Sequence, residues 1–143
     1  MKLLIIRPQP GADATAQRAR NAGFEPIIMP LFAIERLPWQ NVSPADFDAV
    51  LLTSGNAVRA AGEGLEQIKD LPVYAVGTAT ARALEQASLH SAFIGTGGVD
   101  ELITAAIDHG LTKLLWLAGE EHSAPLPKPE IELDIRIVYR SAA

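Results

Sequence analysis

Short apolar runs alternate with amphipathic stretches along most of this 143-residue chain. After a connector at residues 36–46, the pattern becomes regular. It predicts strands at residues 49–53, 73–76, 91–94 and 113–117, and helices at residues 56–62, 78–87 and 99–109. Strands that alternate with helices at this spacing form βαβ units, and such units build a parallel sheet flanked by helices. The sequence therefore predicts an α/β fold.

The first 35 residues contain a separate strand and helix. Residues 3–6 are a continuous apolar run that predicts a buried strand, and residues 12–21 read as a helix. Residues 26–34 are apolar but are interrupted by Pro30, which favours a connecting ribbon over a central strand. One strand and one helix cannot bury their own apolar faces. We therefore expect this N-terminal piece to belong to an incomplete second α/β domain, whose other half either is missing or is provided by another subunit.

The end of the chain is predicted to return as a half-exposed strand. Residues 118–129 form a proline-rich connector, and polar and apolar positions alternate over residues 131–139. The alternation places Tyr139 on one face with Ile131, Leu133, Ile135 and Ile137. The candidate ribbons at residues 26–34 and 131–139 bracket the regular block, so we expect them to pair with each other.

Composition narrows the classes of function. The chain has 12 Lys and Arg against 17 Asp and Glu, a net charge of −5, which argues against a partner that is nucleic acid or an anionic membrane. It has no cysteine, which removes disulfides and thiolate chemistry. The apolar runs are too short for a signal peptide or a spanning helix, so the expected location is the cytoplasm. The three histidines lack metal-ligand spacing, so no metal site is predicted.

Two corners between a strand and a helix repeat one design, at residues 53–56 and 77–80. Neighbouring parallel strands end at the same edge of a sheet, so both corners are expected on one rim. The first turn of each helix presents unpaired N–H groups there, which suit a carboxylate or phosphate. The candidate ligand residues are Thr53, Ser54, Asn56, Gly77, Thr78 and Thr80. The alternative is that these residues only cap their helices.

Three other features have alternative interpretations. Arg7 follows the first predicted strand, where its guanidinium either clamps a carboxylate or is a solvated end residue. Residues 95–98 resemble part of a dinucleotide-binding loop but lack its third spaced glycine. From periodicity alone, Tyr139 is a packing residue whose hydroxyl reaches solvent.

Four segments, taken in order, resemble the uroporphyrinogen-III synthase family of tetrapyrrole biosynthesis. They are residues 4–8 (LIIRP), 47–58 (FDAVLLTSGNAV), 73–81 (VYAVGTATA) and 137–139 (IVY). The resemblance implies two flavodoxin-like α/β domains joined by a two-stranded ribbon. It assigns residues 1–35 to a discontinuous first domain with one ribbon strand, 36–129 to a complete second domain and 130–143 to the returning ribbon strand. It also implies that the family's C-terminal half-domain is absent from this chain.

The resemblance further implies a cofactor-free lyase. The family closes the linear tetrapyrrole hydroxymethylbilane with inversion of its last ring and loss of water, through an azafulvenium cation and a spiro intermediate. The residues carried over as contacts to substrate carboxylates are Arg7, Thr53, Ser54, Asn56, Gly77, Thr78 and Thr80. Tyr139 is carried over as the residue that assists departure of the hydroxyl, since a phenol is protonated at neutral pH. Residues 118–123 are short and acidic where the family often has an arginine, which weakens that part of the anion site.

Two other classes of function fit the same sequence. One is a non-catalytic flavodoxin-like module that binds a small polyanion or a protein partner. The other is an oligomeric scaffold, in which the surface of residues 2–30 drives self-association through the incomplete first domain.

Overall fold

The computed structural model describes residues 2–5, 11–23, 25–28 and 33–142. The strands of this part are β1 (Lys2–Ile5), β2 (Glu25–Ile28), β3 (Ala33–Arg36), β4 (Ala49–Leu52), β5 (Val73–Val76), β6 (Ser91–Gly95), β7 (Lys113–Gly119) and β8 (Glu132–Ala142). The helices are α1 (Gly11–Asn21), α2 (Gly55–Ala61), α3 (Thr78–Gln86) and α4 (Val99–Asp108), with 3₁₀ segments at Pro44–Asp46 and Gly62–Ile68.

The chain divides into two compact units, residues 1–35 with 141–143, and residues 36–140. In the smaller unit β1 pairs in parallel with β2, and Leu3 lies opposite Pro26. With α1 between them, the two strands form a βαβ unit, which places the N-terminal strand and helix in an α/β arrangement.

The prediction that residues 26–34 form one ribbon was wrong. Glu25–Ile28 pairs with β1, whereas Ala33–Arg36 lies next to β8 in a different sheet. Residues 29–32, between these strands, lie outside the described residues. A proline removes only one backbone donor, so a strand with a single neighbour in the described sheet accommodates Pro26. The expected pairing of the ribbons holds for β3 and β8.

A six-stranded sheet has the order β3-β8-β7-β4-β5-β6, and its strands β7, β4, β5 and β6 lie wholly in the larger unit. The pairs from β8 to β6 are parallel, as predicted for an α/β fold. The last two positions of β4 show how the sheet is covered on both faces. Leu52 packs on the side of α2 and α3, and Leu51 packs on the side of α4. All four residues of β4 are fully buried, which explains its continuous apolar sequence.

The last strand departs from the predicted alternation at a β-bulge. The register of β7 and β8 runs to Ala118 opposite Ile137 and resumes with Gly119 opposite Tyr139, so Val138 is an extra residue. Ile137 packs on the α4 side of the sheet, while Val138 and Tyr139 both pack on the side of α2 and α3. The prediction that Tyr139 shares a face with Ile137 was therefore wrong, because the bulge shifts the two-residue period by one.

Asp48 fixes the start of the central strand pair. Its carboxylate accepts hydrogen bonds from the backbone N–H groups of Thr112 and Lys113, each at 3.0 Å, and from the Thr112 hydroxyl at 3.3 Å. The backbone donors, that of Thr112 first, hold the pKa of the Asp48 carboxyl below its usual 3.8. A lowered pKa in the folded state stabilises the fold above the unfolded-state value, and the contribution is lost as the pH falls through the folded-state value.

We expect Asp48→Asn to lower the free energy of unfolding at neutral pH. In acid, the difference between the variant and the parent protein should become smaller, because the Asp48 carboxylate of the parent is then protonated. Urea unfolding at a series of pH values from neutral to below 3.8 measures the difference. Asp46→Asn, at an exposed site in the preceding 3₁₀ segment, is the matched control. A deficit that is the same at every pH would contradict this role of Asp48.

Candidate functional site

The two predicted corners lie at the same edge of the sheet. β4 and β5 are parallel neighbours, with Leu52 opposite Ala75, so both strands end at one edge. The first corner, residues 53–56, leads into α2, and the second corner, residues 77–80, leads into α3. Both belong to the larger unit. The arrangement matches the edge at which open α/β sheets bind ligands.

Ser54 joins the first corner to the last strand. It is the N-cap of α2, with extended backbone, and its Oγ accepts the backbone N–H of Ala57 at 3.1 Å. The same Oγ lies 3.2 Å from the hydroxyl of Tyr139, which the β8 bulge turns to this side of the sheet. The structure therefore brings together two of the residues that the sequence singled out, 85 positions apart in the chain.

Thr53 is held by a buried tryptophan. Its Oγ1 accepts the indole N–H of Trp116 at 3.3 Å, and Trp116 is 1% exposed. The ring of His122 stands edge-on to Trp116, with 4.9 Å between ring centroids, and its Nδ1 donates to the Ser123 carbonyl at 2.8 Å. Sequence reasoning missed Trp116 and His122, because no local spacing links them to Thr53. The Thr53 hydroxyl keeps its own proton for another acceptor.

Arg59 adds a positive charge to the first corner. Its Nη2 donates to the Asn56 side-chain carbonyl at 2.8 Å. Its Nη1 would lie 3.1 Å from a Cβ at Gly55, so the guanidinium runs along the first turn of α2. Sequence reasoning missed Arg59 too. The available signal was its position three residues after Asn56 in a predicted helix, because side chains at that spacing are neighbours on the helix surface.

The second corner is more open. Gly77 has a φ of 83°, which favours glycine, and there is nothing within 4 Å of where its Cβ would be. Its N–H donates to the Gly95 carbonyl at 2.8 Å, so this amide is already used. The next helix, α3, has no side-chain cap, and Thr78 at its start is exposed. Thr80 is 3% exposed, so of the residues named at this corner it offers a ligand the least surface.

A third corner, between β6 and α4, is occupied by an internal carboxylate. Glu101 accepts the N–H of Gly97 at 2.6 Å and the N–H of Thr96 at 3.2 and 3.3 Å to its two oxygens. A dinucleotide phosphate would need these loop amides. Their engagement by Glu101 argues against the nucleotide-binding alternative for residues 95–98.

The remaining predictions concern metals, membranes and Arg7. Among the described residues, no group of His, Asp and Glu is placed to hold a metal ion. In the same part of the chain, no helix combines the length and apolar character needed to cross a membrane. Arg7 lies outside the described residues, so its proposed role stays a prediction.

The fold and the site define an α/β protein whose candidate ligand groups gather at the carboxyl edge of a parallel sheet. The family model for uroporphyrinogen-III synthase HemD matches residues 13–141. The chain therefore belongs to the uroporphyrinogen-III synthase family. No curated protein sequence matches the chain.

Solved structures of uroporphyrinogen III synthase from the extremely thermophilic bacterium Thermus thermophilus share the fold. A selenomethionine-substituted mutant has a TM-score of 0.58 at 21% identity, and the match covers 99% of this chain and 62% of that one. The wild-type protein from the same organism has a TM-score of 0.51 at 22% identity, with the same coverage. The chain thus spans 62% of the length of these relatives.

We expect Glu101→Ala to free the amides of Thr96 and Gly97, which would then exchange faster with solvent. The loop is exposed and water replaces part of the lost bonding, so the free energy of unfolding should fall by only about 1 kcal/mol. Amide hydrogen exchange followed by NMR, together with urea unfolding, measures both effects. Glu85→Ala, an exposed glutamate on α3, is the control. Unchanged exchange at Thr96 and Gly97 would show that Glu101 does not hold the loop.

Proposed function

We propose that this chain acts as a uroporphyrinogen-III synthase, a lyase that cyclises hydroxymethylbilane, inverts the last pyrrole ring and releases water. The observation that carries the proposal is the hydroxyl of Tyr139, 3.2 Å from Ser54 Oγ at the edge where both corners end. The family match over residues 13–141 supports the same reaction. The two corners supply groups for an acidic substrate, and Tyr139 supplies an acid for the leaving hydroxyl.

Substrate carboxylates are proposed to bind at the two corners. The net charge of −5 gives no long-range attraction for a polyanion, so local donors have to hold it. The first corner offers the hydroxyls of Thr53 and Ser54 and the side-chain amide of Asn56. The second corner offers the hydroxyl of Thr78 and the uncapped first turn of α3.

The other residues of the proposed set contribute in different ways. Gly77, with open space beside its Cα, lets a ligand approach the backbone closely. Thr80 stays in the set through the resemblance, but its buried side chain makes it the weakest member. Arg7 is proposed as a further carboxylate clamp on its position in the sequence.

Tyr139 is the proposed catalytic residue. The phenol proton passes to the hydroxyl of the substrate, which leaves as water while the adjacent pyrrole nitrogen supplies the electrons that form an azafulvenium cation. The corners hold the flexible tetrapyrrole so that attack by the inverted ring competes with simple ring closure, which is a positioning effect.

No cofactor takes part in the proposed reaction. The cytoplasm as the location, a small-molecule substrate as the only class of ligand, and self-association through residues 2–30 are further proposals from the sequence.

We expect this chain to convert hydroxymethylbilane to more of the ring-inverted isomer than forms in buffer, as measured by chromatography of the oxidised products. Tyr139→Phe should lower the rate roughly 100-fold through loss of the general acid. Tyr74→Phe is the matched control, because the Tyr74 hydroxyl bonds to His109 on the α4 side instead. A product ratio identical to that in buffer would remove the catalytic claim for this chain.

The second candidate function is a module that binds a polyanion without turnover, and the Arg59 guanidinium beside Asn56 favours it. Calorimetry with uroporphyrin should detect binding that weakens a few-fold in Arg59→Ala, an effect that salt reduces. Lys113→Ala is the charge control, since exposed Lys113 begins β7, a parallel neighbour of β4, and therefore lies at the opposite edge of the sheet from the first corner. Equal losses in both variants would indicate a general charge effect and not a site at the first corner.

A further inference from the structure

The ring of Tyr139 lies against a residue that has no side chain. A Cβ on Gly119 would come within 2.5 Å of the Tyr139 Cζ, 2.7 Å of its hydroxyl oxygen and 2.8 Å of its Cε2. Gly119 is not among the glycines of positive φ, so the backbone does not require glycine there. The requirement is space: any larger residue would displace the ring that reaches Ser54.

The bulge and Gly119 act on the same side chain. The bulge turns Tyr139 to the side of α2 and α3, and Gly119, its register partner, leaves room for the ring. The Tyr139 carbonyl accepts the N–H of Glu120 at 2.9 Å, which fixes the backbone beside the ring. These contacts leave the phenol oxygen 3.2 Å from Ser54 Oγ.

The hydrogen bond between the hydroxyls of Ser54 and Tyr139 can run in the direction in which Ser54 donates. Its oxygen already accepts the N–H of Ala57 at 3.1 Å, and a serine hydroxyl has a single proton to donate. If the phenol gives its own proton to a substrate, its oxygen is left to accept from Ser54. The hydrogen bonds then run in one direction, from the Ala57 amide to Ser54, to Tyr139 and to the substrate, and each polarises the next.

We propose that Ser54 is a positioning residue that donates its hydroxyl proton to the Tyr139 oxygen, directing the phenol proton at the substrate, and that Gly119 provides the space for this contact. The inference rests on the proposed role of Tyr139 as general acid. It replaces the carboxylate contact that the resemblance assigns to Ser54.

The proton balance of the step is complete. The Tyr139 proton passes to the hydroxyl oxygen of the substrate, the carbon–oxygen bond breaks, and its electron pair leaves with water. The pyrrole nitrogen donates its lone pair to the carbon left behind. The resulting phenolate keeps the hydrogen bond from Ser54. When the macrocycle closes, the pyrrole carbon that forms the new bond loses its proton and the pyrrole becomes aromatic again. That proton returns to the phenolate.

The contact can be tested without turnover by NMR of the tyrosine rings. The chain has two tyrosines, so Tyr74→Phe assigns the signals. Ser54→Gly removes the hydroxyl but keeps a residue that is accepted at a helix N-cap, and Ser54→Thr keeps the hydroxyl. We expect Ser54→Gly and Gly119→Ala to shift the Tyr139 signals, and Ser54→Thr to leave them close to those of the parent.

Gly64→Ala is the matched control for Gly119→Ala. Its Cβ would come within 2.5 Å of the Trp39 ring, the same overlap with a different aromatic residue. It should destabilise the fold and leave the Tyr139 signals in place. Tyr139 signals that do not change in Ser54→Gly and Gly119→Ala would overturn the inference.

Kinetics separate a positioning role from substrate binding. Ser54→Gly should lower kcat about tenfold with little change in KM, the loss of roughly one hydrogen bond to a charged group. In the Tyr139→Phe background it should have no further effect, since the group it acts through is gone. A raised KM with unchanged kcat would return Ser54 to a carboxylate contact and overturn the inference. If the parent has no turnover, the proposed function fails by itself and the NMR comparison alone decides the inference.

Discussion

The register shift between β7 and β8 is the constraint on which the candidate site depends. If Val138 had its own partner on β7, the regular alternation would place Tyr139 with Ile137 and Ile135 on the α4 face, and the whole sheet would separate it from Ser54. Leaving Val138 unpaired thus decides on which face of the sheet the Tyr139 side chain lies. Gly119, opposite Tyr139, completes the arrangement by leaving the ring a place to lie.

The three corners of the larger unit differ in how their backbone donors are satisfied. At the first, Ser54 caps α2, and at the third, the Glu101 carboxylate binds the loop amides. The second has no side-chain cap on α3 and an open approach at Gly77. Buried parallel pairing of β4 with β5 brings the first two to one edge. An acidic protein holds an anion best where such local donors are unspent, so the second corner and the Thr53 hydroxyl of the first are the natural positions.

The sequence predicts the middle of the fold well because buried parallel strands are short apolar runs with helices between them. The strand at residues 73–76 has the predicted limits, and the others between residues 49 and 119 differ by at most two positions at either end. The separation of Glu25–Ile28 from Ala33–Arg36 was missed, since both are strands of four residues close together in the chain and only their pairing distinguishes them. The bulge, the Trp116 bond to Thr53 and the Glu101 carboxylate were also missed. They depend on register and on distant or loop contacts, which hydrophobic periodicity does not encode.

Glu101 has a consequence for how any acidic ligand meets this edge of the protein. Because the carboxylate is tethered to the loop it binds, it competes at the high effective concentration of an intramolecular group. A free carboxylate arm at millimolar concentration or below would be outcompeted for the Thr96 and Gly97 amides. The third corner therefore behaves as a site that already holds its ligand. A flexible anion with several carboxylate arms therefore finds one set of backbone donors fewer along this edge.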